Sequence, residues 1–361
     1  MTSPKSAKRA PSPEAELPTW RVVLKKALPV LLSGIVIYVL TPVLTKVFAV
    51  SPRLSSLVVV WLVLGLIAET ASFACTFGLK RIALRTKAIF AVITSGLVGN
   101  AVTNVFPGAD ATGATVEFRL LFAAGVETGA AIGGLTASAL LQTGLLLGLP
   151  ALAIPAILAG VPISRGLAHL AYLGLGVFVL YGIVAFAAFQ LDWPLQIAGR
   201  IAERLHNRLL RKRQPLTGLP ERFVDQRNAT RAALGARWWQ ALLYAFGRLA
   251  LDFCCLLAML AATRAKPEPW LILIAYGSTA VIALLPLTPG GLGLVEGSLT
   301  GLLVLAGIPA ANAVLSTLAY RLASYWLPTF AGPFAYLAYR RRYHDSTTGG
   351  ATGPGESRIP I

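Results

Sequence analysis

Charged residues are scarce in this sequence, and negatively charged ones are the scarcest. Of 361 residues, 13% are charged and 56% are hydrophobic, with 15 Asp and Glu against 32 Lys and Arg. So low a charge density excludes an ordinary soluble globular protein and indicates a chain that lies in a bilayer. The net charge of +17 does not indicate a nucleic-acid partner, because most Lys and Arg flank apolar runs, where membrane topology explains them.

Residues that bind metals or form disulfides are also rare. The three cysteines, Cys75, Cys254 and Cys255, all lie in apolar runs, and the adjacent pair is poorly placed for a disulfide. The three histidines are far apart and belong to no HExxH pattern, and no GxxxxGK[ST] loop is present. The sequence therefore predicts no metal site, no cofactor and no built-in ATPase.

The hydrophobic residues form runs that are long enough to cross a bilayer as helices, which takes about 20 residues. We expect an all-α polytopic membrane protein with about eight to ten hydrophobic segments. Prolines and glycines interrupt 119–162 and 289–308, so the number of passes stays open there. The runs are 28–50, 54–78, 88–106, 119–141, 142–162, 167–190, 238–262, 270–288 and 311–337.

The positions of Lys and Arg predict how the chain is oriented in an inner (cytoplasmic) membrane. Basic residues cluster in the N-terminal tail, in 79–87, in 191–237 and in the C-terminal tail, so these segments and both termini should be cytoplasmic. The predicted organisation is a disordered tail (1–24), a first transmembrane half (25–190), a basic cytoplasmic connector (191–237), a second transmembrane half (238–340) and a disordered tail (341–361).

The connector contains an amphipathic segment. In "IAGRIAERLHNRLLRKR" an apolar stripe at helical spacing runs beside a basic one. This pattern predicts an interfacial helix, which serves either as a topology anchor or as a site for anionic lipid headgroups. The apolar stripe is Ile197, Ile201, Leu205 and Leu209, and the basic one is Arg200, Arg204, Arg208 and Lys212.

Two similar motifs recur in the two predicted halves. The first reads "NVFPGADATGATVEFR" and the second "LTPGGLGLVEGS", and each has Pro-Gly, then Gly, then Glu. Helices broken at corresponding places in two halves indicate a binding site near the membrane midplane. The matching residues are Pro107, Gly108, Gly113 and Glu117 in the first motif and Pro289, Gly290, Gly293 and Glu296 in the second.

The second motif has a composition that favours anion binding. Its prolines prevent a continuous helix, while Gly290, Gly291 and Gly293 leave amide groups unpaired at the start of the next half-helix. That electropositive end suits a phosphate, and Arg321 could supply a second, charged partner. Glu296, expected about two turns into the half-helix, could meet an amine headgroup or exchange a proton. The alternative is a glycine-rich packing kink with a hydrogen-bonded glutamate.

Further charged residues lie within or at the edges of the apolar runs, where each costs about 2.5 to 3.5 kcal/mol if it faces lipid. They should therefore face a polar cavity or one another. Arg248 and Asp252 are four residues apart, which favours either a structural ion pair or a gate that contacts the headgroup. Glu69 is expected to be protonated or hydrogen-bonded between helices. The set is Glu69, Glu117, Arg119, Glu127, Arg248, Asp252, Glu296 and Arg321.

The motifs resemble those of the transmembrane flippase region of the lysylphosphatidylglycerol synthases, the MprF type, and of their stand-alone YbhN-like relatives. The resemblance covers roughly residues 25–340 and is more specific in the second half. It rests on Pro289-Gly290-Gly291-x-Gly293-x-x-Glu296, Gly307-Ile308-Pro309, Arg321 and Gly332, and on Asn104-x-x-Pro107-Gly108 with Gly113, Glu117 and Arg119. The first motif is longer and has fewer glycines than is usual in the family.

The resemblance implies lipid translocation without lipid modification, because the chain ends about twenty residues after "YRRRYH", where the synthases carry an aminoacyl-transferase domain. Arg119 or Arg321 would then hold the lipid phosphate, and Glu117 and Glu296 would contact a cationic headgroup or carry a proton. Two alternatives stay open: a scaffold that works with a separate lipid-modifying enzyme, and an intramembrane transferase. The expected partners are membrane lipids, including anionic lipids near the connector, and a homo-oligomer is compatible with the sequence.

Overall fold

The computed structural model describes residues 57–105, 110–155, 165–209, 217–266, 268–284 and 288–348. These residues form helices and short helical turns, with no β-strand among them. Among these described residues, four helices are long and apolar enough to cross a membrane, which confirms the all-α polytopic class. The predicted tail 1–24 and the predicted run 28–50 lie outside the described residues.

The first half contains five helices in its described part. They are α1 (Val59–Ala83), α2 (Ile89–Val105), α3 (Asp110–Ala123), α4 (Thr128–Gly148) and α5 (Arg165–Gln190), with a 3₁₀ turn at Pro150–Ala153 before α5. The predicted runs 119–141 and 142–162 divide this region in the wrong place. The chain turns between α3 and α4, where Gly125 has a φ of 85°. Glycine adopts this left-handed conformation without strain. Because the residues on either side of Gly125 are apolar, a hydropathy profile does not show the turn.

The connector folds into two helices, α6 (Trp193–Leu209) and α7 (Leu219–Leu234). In α6, Ile197 and Ile201 are exposed on the apolar stripe, an arrangement typical of an interfacial helix. Helix α7 packs against α4, where Gln226 Nε2 donates to Thr136 Oγ1 at 2.8 Å. The connector is therefore docked on the transmembrane body.

The second half repeats the order of the first. It comprises α8 (Trp238–Ala262), α9 (Pro269–Ala283), a 3₁₀ turn (Pro289–Gly291), α10 (Leu294–Leu305), α11 (Ala310–Arg321), a π-helical segment (Leu322–Trp326) and α12 (Leu327–Thr348). The bounds of α8 equal the predicted run 238–262. Because α12 continues to Thr348, the first eight residues of the predicted tail 341–361 are helical.

Each half thus has a 25-residue helix, a shorter helix, a break and a second short helix. The long helices α1 and α8 pack against each other, and α12 of the second half packs against α2 of the first. Glycine makes the second contact close, because a Cβ on Gly332 would clash with the Cβ of Ala101. The C-terminal end of α2 is thereby brought beside the 3₁₀ turn at Pro289–Gly291.

The outer faces of the long helices are apolar and exposed. On α5, Leu173, Leu180 and Phe186 each expose more than 60% of their surface. A helix that exposes so many large apolar side chains along its length requires lipid as its surroundings. The described part of the chain is therefore that of a multi-pass membrane protein.

Candidate functional site

A polar cavity of about 560 Å³ lies among helices of both halves. Its lining comes from α1, α2, α3, α4 and α8, together with Gly290 and the end of α11. Six Asp, Glu, Lys and Arg side chains contribute to it. They are the acids Glu69, Glu117 and Asp252 and the bases Lys80, Arg248 and Arg321.

The second motif forms the break between α9 and α10, and its glycines have conformations that other residues rarely adopt. The φ angles of Gly290, Gly291 and Gly293 are 53°, 70° and 80°. Pro289 begins the 3₁₀ turn at this break. These glycines allow the chain to leave the helical path before α10 begins, which is the interruption that the sequence predicts.

Glu296 lies in the first turn of α10, not two turns into it as we expected from the sequence. Its Oε2 accepts a hydrogen bond from the backbone N–H of Gly293 at 2.6 Å. Because the half-helix begins at Leu294, the glutamate caps the helix end directly after the break. The predicted electropositive end is therefore partly neutralised by the protein's own carboxylate.

Arg321 binds the same glutamate. Its Nε lies 2.8 Å from Glu296 Oε1, and its Nη2 donates to the Gly290 carbonyl oxygen at 3.1 Å. The guanidinium carbon also lies 4.1 Å from the centroid of the Tyr325 ring. Both charged residues are buried, with 7% of Glu296 and 9% of Arg321 exposed. Arg321 thus joins α11 to the break, to α10 and to the π-helical segment.

Asn104, from the first motif, contacts the second half of the protein. Its carbonyl oxygen accepts a hydrogen bond from Tyr325 Oη at 2.8 Å, and its Nδ2 donates to Thr329 Oγ1 at 2.7 Å. The predicted residues Pro107 and Gly108 lie outside the described residues. The carbonyl oxygen of Asn104 also lies directly beside Gly290 of the second motif, and Gly113 and Glu117 of the first motif line the same cavity as Gly290.

Glu117 is paired with a lysine that sequence reasoning did not select. Lys80 Nζ donates to the two carboxylate oxygens of Glu117 at 2.7 and 2.9 Å. The sequence places Lys80 in the predicted cytoplasmic segment 79–87, but α1 continues to Ala83 and carries it inside. The available signal was helical spacing, because residues 69, 72, 76 and 80 share one face of α1.

Arg119 does not line the cavity, so of the two arginines expected to hold the lipid phosphate, Arg119 or Arg321, it is Arg321 that lies there. The Arg119 side chain is exposed, whereas Glu117 on the same helix is buried. Residues two apart on an α-helix point in different directions, so Glu117 and Arg119 cannot both face the cavity. Glu127 precedes α4 and is also exposed.

Arg248 and Asp252 both line the cavity but do not form a direct ion pair, which was one of the two alternatives expected from their spacing. The salt bridges in the described part of the chain are Lys80–Glu117, Arg227–Asp192 and Arg321–Glu296. Asp252 instead accepts hydrogen bonds from Tyr276 and Tyr320, the latter at 3.0 Å to each oxygen. Two hydroxyl donors therefore satisfy the carboxylate without a direct bond to Arg248.

Two broken-helix halves around a buried, charged cavity define a class of protein, a polytopic helical membrane protein with an interior polar site. The family described as "Lysylphosphatidylglycerol synthase TM region" matches residues 26–332 of the chain. The chain belongs to this family, which confirms the predicted resemblance.

A curated relative is the "UPF0104 membrane protein" of Methanothermobacter thermautotrophicus. It is 38% identical to this chain over 96 residues, which are 27% of this chain and 27% of the relative. The aligned part thus spans about a quarter of that protein's length. No solved structure matches the chain.

Proposed function

We propose that this protein moves a polar-headed lipid, a phospholipid or a glycolipid, between the leaflets of the membrane. The observation that carries the proposal is the cavity with six acidic and basic side chains among membrane-spanning helices. Charged groups at this depth are costly and are retained in substrate or ion pathways. The broken helices of the two halves provide the repeated architecture that transporters use for alternating access.

The division between polar interior and apolar exterior fits a lipid. A headgroup could occupy the cavity, whose volume of about 560 Å³ lies in the range of small-molecule sites. The acyl chains would stay in the bilayer beside exposed apolar residues such as those of α5. The headgroup is thereby shielded from the hydrocarbon while it crosses the membrane.

Among the three cavity cations, Arg248 is the best candidate to receive an anionic headgroup. Lys80 and Arg321 already bind Glu117 and Glu296. Among the described residues, no carboxylate forms a salt bridge with the Arg248 guanidinium. A phosphodiester oxygen could accept from it without displacing a carboxylate. A cationic headgroup would instead compete with Lys80 or Arg321 for a glutamate.

In this proposal the lipid leaves chemically unchanged, so the protein acts as a transporter and not as an enzyme. We also propose that the connector faces the cytoplasm of an inner-membrane protein and that Arg200, Arg204 and Arg208 of α6 contact anionic lipid headgroups. All three side chains are exposed on the helix, where each could gain about 1 kcal/mol from an anionic leaflet.

Reconstituted liposomes test the function. Purified protein would be inserted into vesicles with acyl-labelled phosphatidylglycerol, and a membrane-impermeant quencher would report how much label moves between leaflets. We expect protein-dependent movement that Arg248→Gln reduces at least tenfold. Glu127→Gln is the control, because its exposed carboxyl lies outside the cavity. Movement by Arg248→Gln at the normal rate would refute the site, and no movement by the native protein would refute translocation of this lipid.

Mass spectrometry of lipids that co-purify with the protein would define the headgroup. We expect enrichment of one lipid class over the surrounding membrane, and its loss in Arg248→Gln. A composition equal to that of the bulk membrane, for both proteins, would argue against a specific headgroup site.

A further inference from the structure

Among the three acids that line the cavity, Glu117 binds Lys80 and Asp252 accepts from two tyrosines. Glu69 is the third. It lies on α1, 4% of its surface is exposed, and it lines the cavity. Its Oε2 is buried and accepts no hydrogen bond from the described part of the chain. A charged carboxylate oxygen without a donor is expensive to bury, so this atom indicates that something small is bound there or that the group carries a proton.

The surroundings of Glu69 favour a proton. The packing of α1 against α8 places it level with Asp252, because Ser72 Oγ, about one turn along α1, donates to the carbonyl oxygen of Arg248, about one turn along α8, at 2.9 Å, and both carboxyls line the cavity. Two negative charges this close in a poorly solvated site repel each other strongly, so such a pair normally holds one proton. The titratable groups that face Glu69 from the helices around it are Arg248, Asp252 and Cys255 of α8, Tyr276 of α9 and Tyr320 of α11.

The hydrogen bonds decide which carboxyl keeps the charge. Asp252 accepts from Tyr276 and Tyr320, and such donors stabilise a carboxylate. Glu69 has no comparable donor at Oε2 among the described residues. The proton therefore belongs on Glu69, and the negative charge on Asp252.

We propose that the Glu69–Asp252 pair is a proton-binding site whose occupancy allows an anionic headgroup to bind beside Arg248, so that proton and anionic lipid are transported together. This inference rests on the proposed transport function and adds that transport is coupled to proton binding. With Glu69 protonated, the charges of Asp252 and Arg248 cancel, and a phosphate meets a neutral cluster. With Glu69 ionised, the cluster has one excess negative charge and repels the phosphate.

Infrared spectroscopy tests proton binding without any substrate. A pH titration of the reconstituted protein should show the carbonyl band of a buried protonated carboxyl, and Glu69→Gln should remove it. Glu127→Gln, which removes an exposed acid, should retain the band. Size-exclusion elution would confirm that both variants are folded. If Glu69→Gln leaves the spectrum unchanged, the pair does not hold the proton and the proposal is wrong.

The lipid-transport assay at several pH values tests the coupling. For acyl-labelled phosphatidylglycerol we expect the rate to fall with rising pH, by up to about tenfold per unit, the slope of one titrating group. Zwitterionic phosphatidylcholine should show a weaker dependence. Because Gln is neutral at every pH, Glu69→Gln should transport phosphatidylglycerol at a pH-independent rate. An unchanged pH dependence in Glu69→Gln would overturn the coupling while transport itself stands.

The two proposals can fail separately. If the native protein moves neither lipid at any pH, while Glu69→Gln still removes the carboxyl band, the transport function is wrong and the proton site is supported. If both lipids move with the same pH dependence, the link between Glu69 and the anionic headgroup is refuted.

Discussion

Arg321 and Glu296 form a buried ion pair, and each of the two side chains also binds the backbone of the break that precedes α10. The Nε–Oε1 distance is 2.8 Å, and the same guanidinium donates to the carbonyl oxygen of Gly290 at 3.1 Å. Glu296 in turn accepts from the Gly293 amide. Two charged side chains therefore satisfy a carbonyl and an amide that a continuous helix would have paired internally. The ion pair makes the break structurally tolerable as well as polar.

Removing one partner of this pair should be much worse than removing both. We expect Arg321→Ala to lower the free energy of unfolding by about 3 to 5 kcal/mol, because Glu296 is left as an unpaired buried charge. The double variant Glu296→Gln/Arg321→Gln should lose less than Arg321→Ala, since no net charge remains. Thermal unfolding of the detergent-solubilised proteins would measure this. Equal losses in both would show that the pair is not buried as described.

Gly290 and Gly297 make a matched pair for testing the break. At Gly290 the φ angle is 53° and a Cβ would lie 2.5 Å from the Tyr325 ring, so Gly290→Ala should destabilise the protein by about 1 to 3 kcal/mol. Gly297 lies inside α10, and a Cβ added there would have open space within 4 Å, so Gly297→Ala should be neutral or stabilising by about 0.5 to 1 kcal/mol. Chemical or thermal unfolding compares the two, and a tolerated Gly290→Ala would contradict the geometry.

Lys80 and Arg119 test which base supports Glu117. Because Lys80 binds the carboxylate and Arg119 is exposed, Lys80→Met should cost about 3 kcal/mol or more of stability. Lipid movement should fall with it. Arg119→Ala should change stability by less than about 0.5 kcal/mol, as is usual for a surface substitution. Thermal unfolding and the liposome assay provide both readouts, and a larger effect of Arg119→Ala would restore that residue to the site.

Hydropathy predicts the helices best where polar residues mark both ends. The run 238–262 equals α8 because Arg237 and Thr263 flank it. The turn between α3 and α4 is marked only on one side, by Glu127 before α4, since Ala123, Ala124 and Val126 around Gly125 are apolar. A helix can also bring a charged residue into the protein interior when a residue of opposite charge lies there to pair with it, as Glu117 does for Lys80. Lys80 therefore ended the predicted run but not α1.

The sequence was sufficient to predict which motifs form the site, but not which side chains pair with one another in it. The glycines of the second break were expected from composition, and their positive φ angles follow from it. Which base meets which acid depends on how helices distant in sequence pack. Lys80 and Glu117 are 37 residues apart, and Asp252 and Tyr320 are 68 apart. Neither pairing leaves a local pattern, whereas the i,i+4 spacing of Arg248 and Asp252 suggested a bond that they do not make.

The contact between Tyr325 and Asn104 joins the π-helical segment to the first motif and can be tested separately from the charges. Tyr325→Phe retains the ring beneath Arg321 but removes the hydroxyl that donates to the Asn104 carbonyl. We expect a loss of about 1 kcal/mol in the free energy of unfolding, the usual value for one hydrogen bond. Tyr325→Leu should lose more, because it also removes the ring that stacks on the guanidinium. Thermal unfolding would rank the two variants. If Tyr325→Phe were as damaging as Tyr325→Leu, the hydroxyl and not the ring would be the main contribution of Tyr325 to stability.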